Sequence, residues 1–181
     1  MMSSKSFAVF DTAIGACGIA WGERGITGTW LPDRDSASPR RRISRRIPQA
    51  RPADPAGEVR RAIDGIVALL SGAPGDLSRV RLDLEAVPAF HRRVYEVTRG
   101  IPAGQTLTYG EIARRLGDPA QARAVGQALG ANPFPILIPC HRVLAAGGRT
   151  GGFSAPGGVS TKLRLLEIEG ARANAVPTLF D

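Results

Sequence analysis

The sequence has few cysteines, few lysines and no long apolar run. Two cysteines in 181 residues, Cys17 and Cys140, exclude a disulfide-stapled fold and favour a reducing, cytoplasmic location. No run of residues approaches the roughly 18 apolar side chains of a membrane span. Residues 1–10 also lack the apolar core of a secretory signal. We therefore expect no membrane association, and the 43% apolar content excludes wholesale disorder.

Basic residues outnumber acidic ones by 24 to 16, which gives a formal net charge of +8. Only two of the basic residues, Lys5 and Lys162, are lysine, so the other 22 are arginine. A surplus of this kind favours a polyanionic partner, although only weakly.

Residues 1–85 are predicted to begin with short strands rich in Ile, Val, Thr and aromatic residues. Three strands are expected, over Phe7–Phe10, Gly18–Trp21 and Gly25–Leu31, with a hairpin turn at Gly22–Gly25.

A basic, proline-rich loop is predicted over residues 32–57, because apolar periodicity is lost there. The Arg40–Arg46 cluster in this loop could face phosphates, but a solvated loop is the favoured interpretation. Apolar spacing then predicts a helix over Glu58–Leu70.

The residues after position 85 are predicted to be mostly helical. A helix is expected over Pro88–Thr98, and Thr108 with Glu111 forms a capping box for the next one. Asp118 is a second N-cap for a helix over Pro119–Leu129, with Gln121 repeating the box. Two helices joined by so short a turn are typical of a helix-turn-helix, but an alanine-rich core helix explains the pattern equally well.

The strongest candidate reactive group is the Cys140 thiol, which directly precedes His141. A buried strand over Ile136–Ile138 is expected to end at Pro139 and to present the thiol from a rigid element. A neighbouring imidazole and cationic surroundings can lower the pKa of a thiol and make it a nucleophile. We therefore predict proton transfer from Cys140 to His141 through a water; the alternative is an inert buried cysteine.

A carboxylate on the far nitrogen of the imidazole would orient the ring of His141. Glu167 and Glu169 both lie at the end of a helix with apolar spacing, and the sequence leaves the choice open. Cys17 has no histidine partner and is predicted to be structural. No metal-ligand spacing occurs, so neither a metal nor another cofactor is expected.

The segment Ile138–Val143, which reads Ile-Pro-Cys-His-Arg-Val, resembles the active-site signature of O6-alkylguanine-DNA alkyltransferases, proteins of direct-reversal DNA repair. The resemblance extends over most of residues 86–170. It implies an α+β (or α/β) fold with a small β-rich, ribonuclease-H-like domain at residues 1–85. A mostly α domain with the helix-turn-helix would follow at 86–170, and a tail at 171–181.

The resemblance also implies a role for each matching residue. Cys140 would take the alkyl group from O6 of guanine, and His141 would receive the thiol proton through a water, backed by Glu169. Asn132 would hold the turn that carries the cysteine. Tyr109 would assist rotation of the nucleotide and donate a hydrogen bond to the damaged base.

Further residues are expected at the DNA and in the base pocket. Arg123 would fill the vacated base stack from a helix face that is otherwise small, and Ser154 would line the pocket. The residues expected to contact DNA or the flipped base are Tyr109, Ala122, Arg123, Ala124, Gly126, Gln127, Val143, Phe153, Ser154 and Lys162.

The implied reaction is an irreversible, single-turnover transfer from O6-alkylguanine, and also from O4-alkylthymine, flipped out of double-stranded DNA. It would need no cofactor and would be carried out by a monomer. Two departures leave substrate preference open: Phe153 stands where the family has an aromatic hydroxyl, and the loop Ser154–Gly158 is longer than the common form. The alternatives are a non-catalytic module that recognises alkylated bases and recruits other repair factors, and a Cys-His hydrolase or acyltransferase.

The C-terminal tail carries two large apolar side chains, Leu179 and Phe180. It partly resembles motifs that bind the replication sliding clamp. The favoured alternative is a tail that packs on its own domain.

Overall fold

The computed structural model describes residues 4–33 and 38–171. These residues form two compact units. One runs up to Ala86 and includes Pro133–Leu137; the other comprises Val87–Asn132 and the described residues from Ile138 onward. No helix in the two described ranges is long and apolar enough to cross a membrane. Leu179 and Phe180 lie outside the described residues.

The first unit is a mixed four-stranded sheet with two helices. Its elements are β1 (Ser6–Thr12), β2 (Gly15–Gly22), β3 (Gly25–Trp30), α1 (Pro39–Arg46), β4 (Arg51–Pro52) and α2 (Gly57–Leu70). The strand order is β3-β2-β1-β4. β1 and β3 are antiparallel to β2, whereas β1 and β4 are parallel.

The predicted strands and their hairpin turn are confirmed. Gly22 pairs with Gly25 at the end of the β2–β3 ladder, which leaves two residues in the turn. Gly25 has a φ of 128°, and a Cβ there would lie 2.5 Å from the carbonyl oxygen of Arg81. Glycine is thus required at this corner, both for its conformation and for the close approach of the backbone.

The prediction of a structureless loop over residues 32–57 is wrong, because α1 and β4 lie within it. Pro39 occupies the first turn of α1, where a missing N–H costs nothing. Ile43 is fully buried in a cluster with Phe7 and Ala20. The proline therefore starts a helix, and burial of one isoleucine holds that helix on the sheet.

The prediction of a strand over Ile136–Ile138 is also wrong. Ile136 and Leu137 form a buried turn, and Ile136 has a φ of 74°. Within the first unit, Thr29 donates from its N–H to the carbonyl of Pro133 and from its hydroxyl to the carbonyl of Pro135. Closely spaced prolines remove the donors that a ladder needs, so the segment turns instead.

The second unit is mostly helical. Its elements are α3 (Ala89–Arg99), β5 (Leu107–Thr108), α4 (Tyr109–Arg115), α5 (Ala122–Gly130), β6 (Val143–Leu144) and α6 (Gly158–Ile168). β5 and β6 form a short parallel pair. A mixed sheet followed by a helical unit confirms the predicted fold class.

Candidate active site

The predicted capping box at the start of α4 is present. The Glu111 N–H donates to the Thr108 hydroxyl at 3.1 Å, and the Thr108 N–H donates to the Glu111 carboxylate at 2.6 Å. These bonds fix the first turn of the helix, and Tyr109 is its first residue. The position of the Tyr109 side chain therefore depends on a locally encoded helix start.

The second helix of the pair begins differently from the prediction. Asp118 caps a 3-10 turn over Pro119–Gln121 and accepts from the Ala120 N–H at 3.0 Å. The Gln121 amide donates to the Asp118 side chain, so the expected second capping box is replaced by a bond between two side chains. The α-helix proper, α5, starts only at Ala122.

The two faces of α5 are as the spacing predicts. Val125 and Leu129 are buried, whereas Arg123 and Gln127 are exposed. Ala122, Ala124 and Gly126 are half-buried. The exposed face thus combines small residues with a single long cation. A Cβ on Gly126 would lie 3.9 Å from the Tyr109 ring, which places that ring beside α5.

Cys140 is the first residue of a 3-10 turn and is only 8% exposed. The turn before it is held at the Ile138 carbonyl, which accepts from the Cys140 N–H at 2.8 Å and from the Asn132 amide at 2.9 Å. The side chain of Asn132 also hydrogen-bonds to the thiol. Asn132 is therefore placed to orient both the turn and the sulfur.

The surroundings of Cys140 do not lower the pKa of its thiol as the sequence led us to expect. Burial raises the pKa of Cys140, and this effect outweighs the hydrogen bond from Asn132 and the positive charge of Lys162, which lower it. The resting side chain is therefore a thiol at neutral pH. Nucleophilic attack requires that the proton leave when the substrate is bound.

His141 is fully buried, and its two ring nitrogens have different surroundings. Nε2 lies 2.9 Å from the carboxylate of Glu169. Because a carboxylate accepts, Nε2 donates, and Nδ1 is the basic nitrogen of the neutral ring. Nδ1 is buried without a hydrogen-bond partner among the described residues. Burial lowers the pKa of His141 more than Glu169 raises it, so the ring is neutral and free to accept a proton at Nδ1.

Arg142 fixes the carboxylate that orients His141. Its Nε and Nη2 donate to the two oxygens of Glu169 at 2.9 and 2.7 Å, and its Nη1 donates to the Ile101 carbonyl at 2.6 Å. Burial raises the pKa of Glu169, but the bonds and charges of His141 and Arg142 together lower it to about 2. Glu169 is thus an anion at neutral pH, whereas the other candidate, Glu167, is exposed.

Lys162 is the most deeply buried cation of the second unit. Its ammonium donates to the carbonyl of Val143 at 2.5 Å and to that of Gly152 at 3.4 Å. It also lies 5.8 Å from the centre of the Tyr109 ring. Burial lowers the pKa of Lys162 to about 8, although the negative charge of an ionised Cys140 would raise it. The lysine joins β6 to the loop that carries Phe153 and is a charge near the sulfur rather than a surface DNA contact.

The phenol of Tyr109 faces the same loop. A Cβ on Gly151 would lie 3.1 Å from the Tyr109 hydroxyl oxygen, so the backbone approaches the phenol closely. Burial, together with the negative charge that Cys140 carries when it is ionised, raises the pKa of Tyr109, so the hydroxyl is protonated and able to donate. Phe153 is half-buried and Ser154 is exposed in this loop.

Cys17 is the buried cysteine of the first unit. Its sulfur lies 3.8 Å from the Thr12 hydroxyl, and burial raises its pKa to about 11. Within residues 4–33 and 38–171, no three His, Cys, Asp or Glu side chains are grouped so that they could hold a metal ion.

Several known proteins are similar to this chain in sequence and in fold. Residues 89–171 match the family described as 6-O-methylguanine DNA methyltransferase, DNA binding domain. The methylated-DNA–protein-cysteine methyltransferase of Mycobacterium tuberculosis is 45% identical over 120 residues, which cover 66% of this chain and 70% of that protein. The enzyme of that name from Methanothermobacter thermautotrophicus is 36% identical over 84% of this chain and 78% of its own length.

This chain belongs to the methylated-DNA–protein-cysteine methyltransferase family. The crystal structure of Mycobacterium tuberculosis OGT in complex with DNA is 34% identical and superposes with a TM-score of 0.74, over 91% of this chain and 92% of that one. The family resemblance inferred from the Ile138–Val143 segment is therefore confirmed. The methyltransferase family match covers the helix pair and the buried cysteine together.

No role for Arg142 was predicted from the sequence. In the structure of this methyltransferase, Arg142 donates two hydrogen bonds to the carboxylate of Glu169 and holds it in place. A signal was available, because a charged residue directly after two buried ones needs an acidic partner inside the protein. The partner is 27 residues away along the chain, so the spacing alone could not identify it.

Proposed function

We propose that this protein repairs DNA by transferring the alkyl group of O6-alkylguanine to the sulfur of Cys140, once per molecule. The new bond joins Sγ to the alkyl carbon as the bond from that carbon to O6 breaks. The electron pair of the broken bond stays on the guanine. The observation that carries the proposal is the buried Cys140 beside His141, whose Nδ1 is a base without a partner and whose Nε2 donates to Glu169.

The proton path follows from the tautomer of His141. Nδ1 would accept the Cys140 proton through a bridging water, and Glu169 would stabilise the imidazolium that forms. Because the resting thiol is protonated, the thiolate exists only as the proton transfers. A thioether is not readily hydrolysed, so the protein would not recover its thiol.

The alkylated base must leave the duplex, because the sulfur of Cys140 is buried and cannot reach the alkyl carbon of a base that is still stacked. The small exposed face of α5 suits shallow insertion into the minor groove, and Arg123 would fill the gap that the base leaves. Tyr109 would donate a hydrogen bond to the leaving base. Val143, Phe153, Ser154 and Lys162 would line or support the pocket, which would also admit O4-alkylthymine.

Replacement of Arg123 with alanine should slow transfer from duplex DNA by roughly 10- to 100-fold. A stacked side chain contributes ~1–3 kcal/mol, and each 1.36 kcal/mol is about tenfold in rate. Single-turnover rates on an O6-methylguanine duplex and on free O6-methylguanine base would be compared. Arg164→Ala, an exposed arginine of α6 in the same unit, is the charge-matched control. An equal loss on both substrates would refute the proposal that Arg123 fills the gap left by the flipped base.

The proposed reaction is tested by the intact mass of the protein after incubation with an O6-methylguanine duplex. The expected result is a gain of one methyl group, absent with undamaged duplex, and located on Cys140 by peptide mapping. Binding to the damaged duplex without any mass gain would instead indicate the recognition-only alternative. Neither binding nor mass gain would point to a Cys-His hydrolase or acyltransferase.

We propose further that the protein acts as a monomer in the cytoplasm on double-stranded DNA. A sliding clamp is a proposed partner through Leu179 and Phe180. A pull-down with purified clamp, using the full chain and the double alanine variant, tests this contact. Equal recovery of the clamp with both proteins would exclude it.

A further inference from the structure

Helix α1 is the most basic element of the first unit. Five of its eight residues are arginine, and none is acidic. Its buried side consists of Pro39 and Ile43, which pack it on the sheet. The helix is therefore anchored on this side by apolar contacts.

Two of the five arginines have structural partners. The Arg42 guanidinium donates to the Leu31 carbonyl at 2.6 Å, and the Arg40 guanidinium lies 5.6 Å from the centre of the Phe7 ring. These contacts account for Arg40 and Arg42 as residues that fasten α1 to the sheet.

The other three, Arg41, Arg45 and Arg46, are exposed. No ion pair joins any of them to an acidic residue in the described ranges 4–33 and 38–171. By contrast, Arg24 and Arg81 of the same unit are paired with acidic side chains. Among the described helices and strands of this unit, α1 carries the most exposed arginines without an ion pair, since α2 has two, Arg60 and Arg61, and β4 has one, Arg51.

Helix stability explains only part of this arrangement. Cations are favourable in the last turn of a helix, which suits Arg45 and Arg46. Arg41 lies in the first turn, where the helix dipole disfavours a positive charge. Three neighbouring guanidinium groups without carboxylates also repel one another. The cluster becomes favourable when an anionic partner neutralises it.

The positive surface extends towards α2. Arg40 and Arg60 line one cavity of about 530 Å³ in the first unit, whose lining includes a single acidic residue, Asp54. Phe7 and Phe10 also line this cavity. The arginine side chains thus outnumber the carboxylates around α1.

We propose that Arg41, Arg45 and Arg46 form a second contact with DNA, made to backbone phosphates by the first unit. It is separate from the contact that α4 and α5 make in the second unit. A guanidinium group binds phosphate oxygens through two parallel hydrogen bonds, which suits arginine rather than lysine. The inference rests on the proposed function, because that function makes a DNA duplex the polyanion this protein meets.

Such a contact adds affinity without recognition of damage or sequence, since phosphates are the same along the duplex. Each neutralised phosphate releases counterions and contributes roughly 0.9 to the slope of log affinity against log salt. Three contacts would therefore contribute about 2 to 3 to that slope, and their effect would be largest at low salt.

The test measures binding of undamaged duplex to the full chain by fluorescence anisotropy over a range of NaCl concentrations. The variant R41Q/R45Q/R46Q should lower the slope by about 2 to 3 and weaken binding at low salt by roughly tenfold or more. The control variant R24Q/R79Q/R81Q removes the same charge from exposed positions of the same unit. It should leave the slope near that of the unchanged protein.

An unchanged slope in R41Q/R45Q/R46Q, or an equal fall in both variants, would overturn the inference. Thermal unfolding of both variants checks that α1 is still folded, and a single R45Q variant should give about one third of the effect. The unchanged protein is also incubated with the O6-methylguanine duplex. Methylation of Cys140 with an unaltered slope in the α1 variant refutes only the second contact, whereas absence of methylation refutes the proposed function itself.

Discussion

Replacement of Cys140 with alanine is expected to abolish alkyl transfer completely while duplex binding persists. The sulfur is the only atom at this site proposed to form the new bond, and no neighbouring group can take its place. Binding should survive because the exposed face of α5 and the arginines of α1 are unaffected. The measurement is intact mass after incubation with the O6-methylguanine duplex, together with fluorescence anisotropy on the same duplex.

Cys17→Ala is the matched control for this prediction. Cys17 is also buried, but it lies beside Thr12 in the first unit, and burial raises its pKa to about 11. The C17A variant should gain one methyl group at the rate of the unchanged protein, with a stability loss of about 1 kcal/mol. A methyl group on C140A, or loss of transfer in C17A, would contradict the assignment of Cys140 as the nucleophile.

Replacement of Glu169 with glutamine should have the second largest effect, on both stability and rate. Arg142 is buried, and breaking a buried ion pair costs about 3–5 kcal/mol because one charge remains unpaired. The amide can still accept a bond from His141, but it cannot stabilise the imidazolium. We expect transfer to slow by roughly tenfold or more, since bonds to charged partners are stronger by about 1 kcal/mol or more.

The pH dependence of stability follows from the same carboxylate. The folded-state pKa of Glu169 is lowered from 4.5 to about 2, so the folded state binds fewer protons there than the unfolded state. This contribution is complete above about pH 5 and is lost as the pH falls towards 2. It amounts to something on the order of 3 kcal/mol. Urea unfolding between these pH values should show this loss in the unchanged protein and not in E169Q.

Glu167→Gln serves as the control for both readouts. Glu167 is exposed, and its removal changes the net charge by the same amount. E167Q should retain the acid dependence of stability and the rate of transfer. A pH–rate profile of E169Q that coincides with that of the unchanged protein would argue against proton transfer to a His141 ring that Glu169 stabilises.

Features encoded by neighbouring residues were predictable from the sequence. The Thr108–Glu111 capping box and the Gly22–Gly25 turn depend on spacings of three residues, within which few geometries are available. The buried and exposed faces of α5 follow from helical periodicity. The adjacency of Cys140 and His141, followed by Arg142 and Val143, was enough to indicate the family.

Features that depend on distant partners were not predictable. The Pro-rich segment after residue 32 folds as α1 only because Ile43 is buried against Phe7 and Ala20, contacts that its own composition does not show. Ile136 turns instead of extending the expected strand, with its backbone in a conformation that isoleucine rarely adopts. In both segments, tertiary packing overrode the local pattern.

The residues of the candidate site also separate into those that neighbouring residues indicate and those that depend on distant partners. The sequence by itself indicated the Cys140 thiol and the His141 imidazole as the candidate reactive pair, since the two residues are neighbours in the chain. Only the tertiary structure selected Glu169 over Glu167, because Glu169 alone is buried against Arg142 and His141. It also showed that the pKa of Cys140 is raised rather than lowered, because burial raises it more than nearby cations and hydrogen bonds lower it. Residue identity is a local property, whereas protonation depends on the solvent and charges that folding removes or brings near.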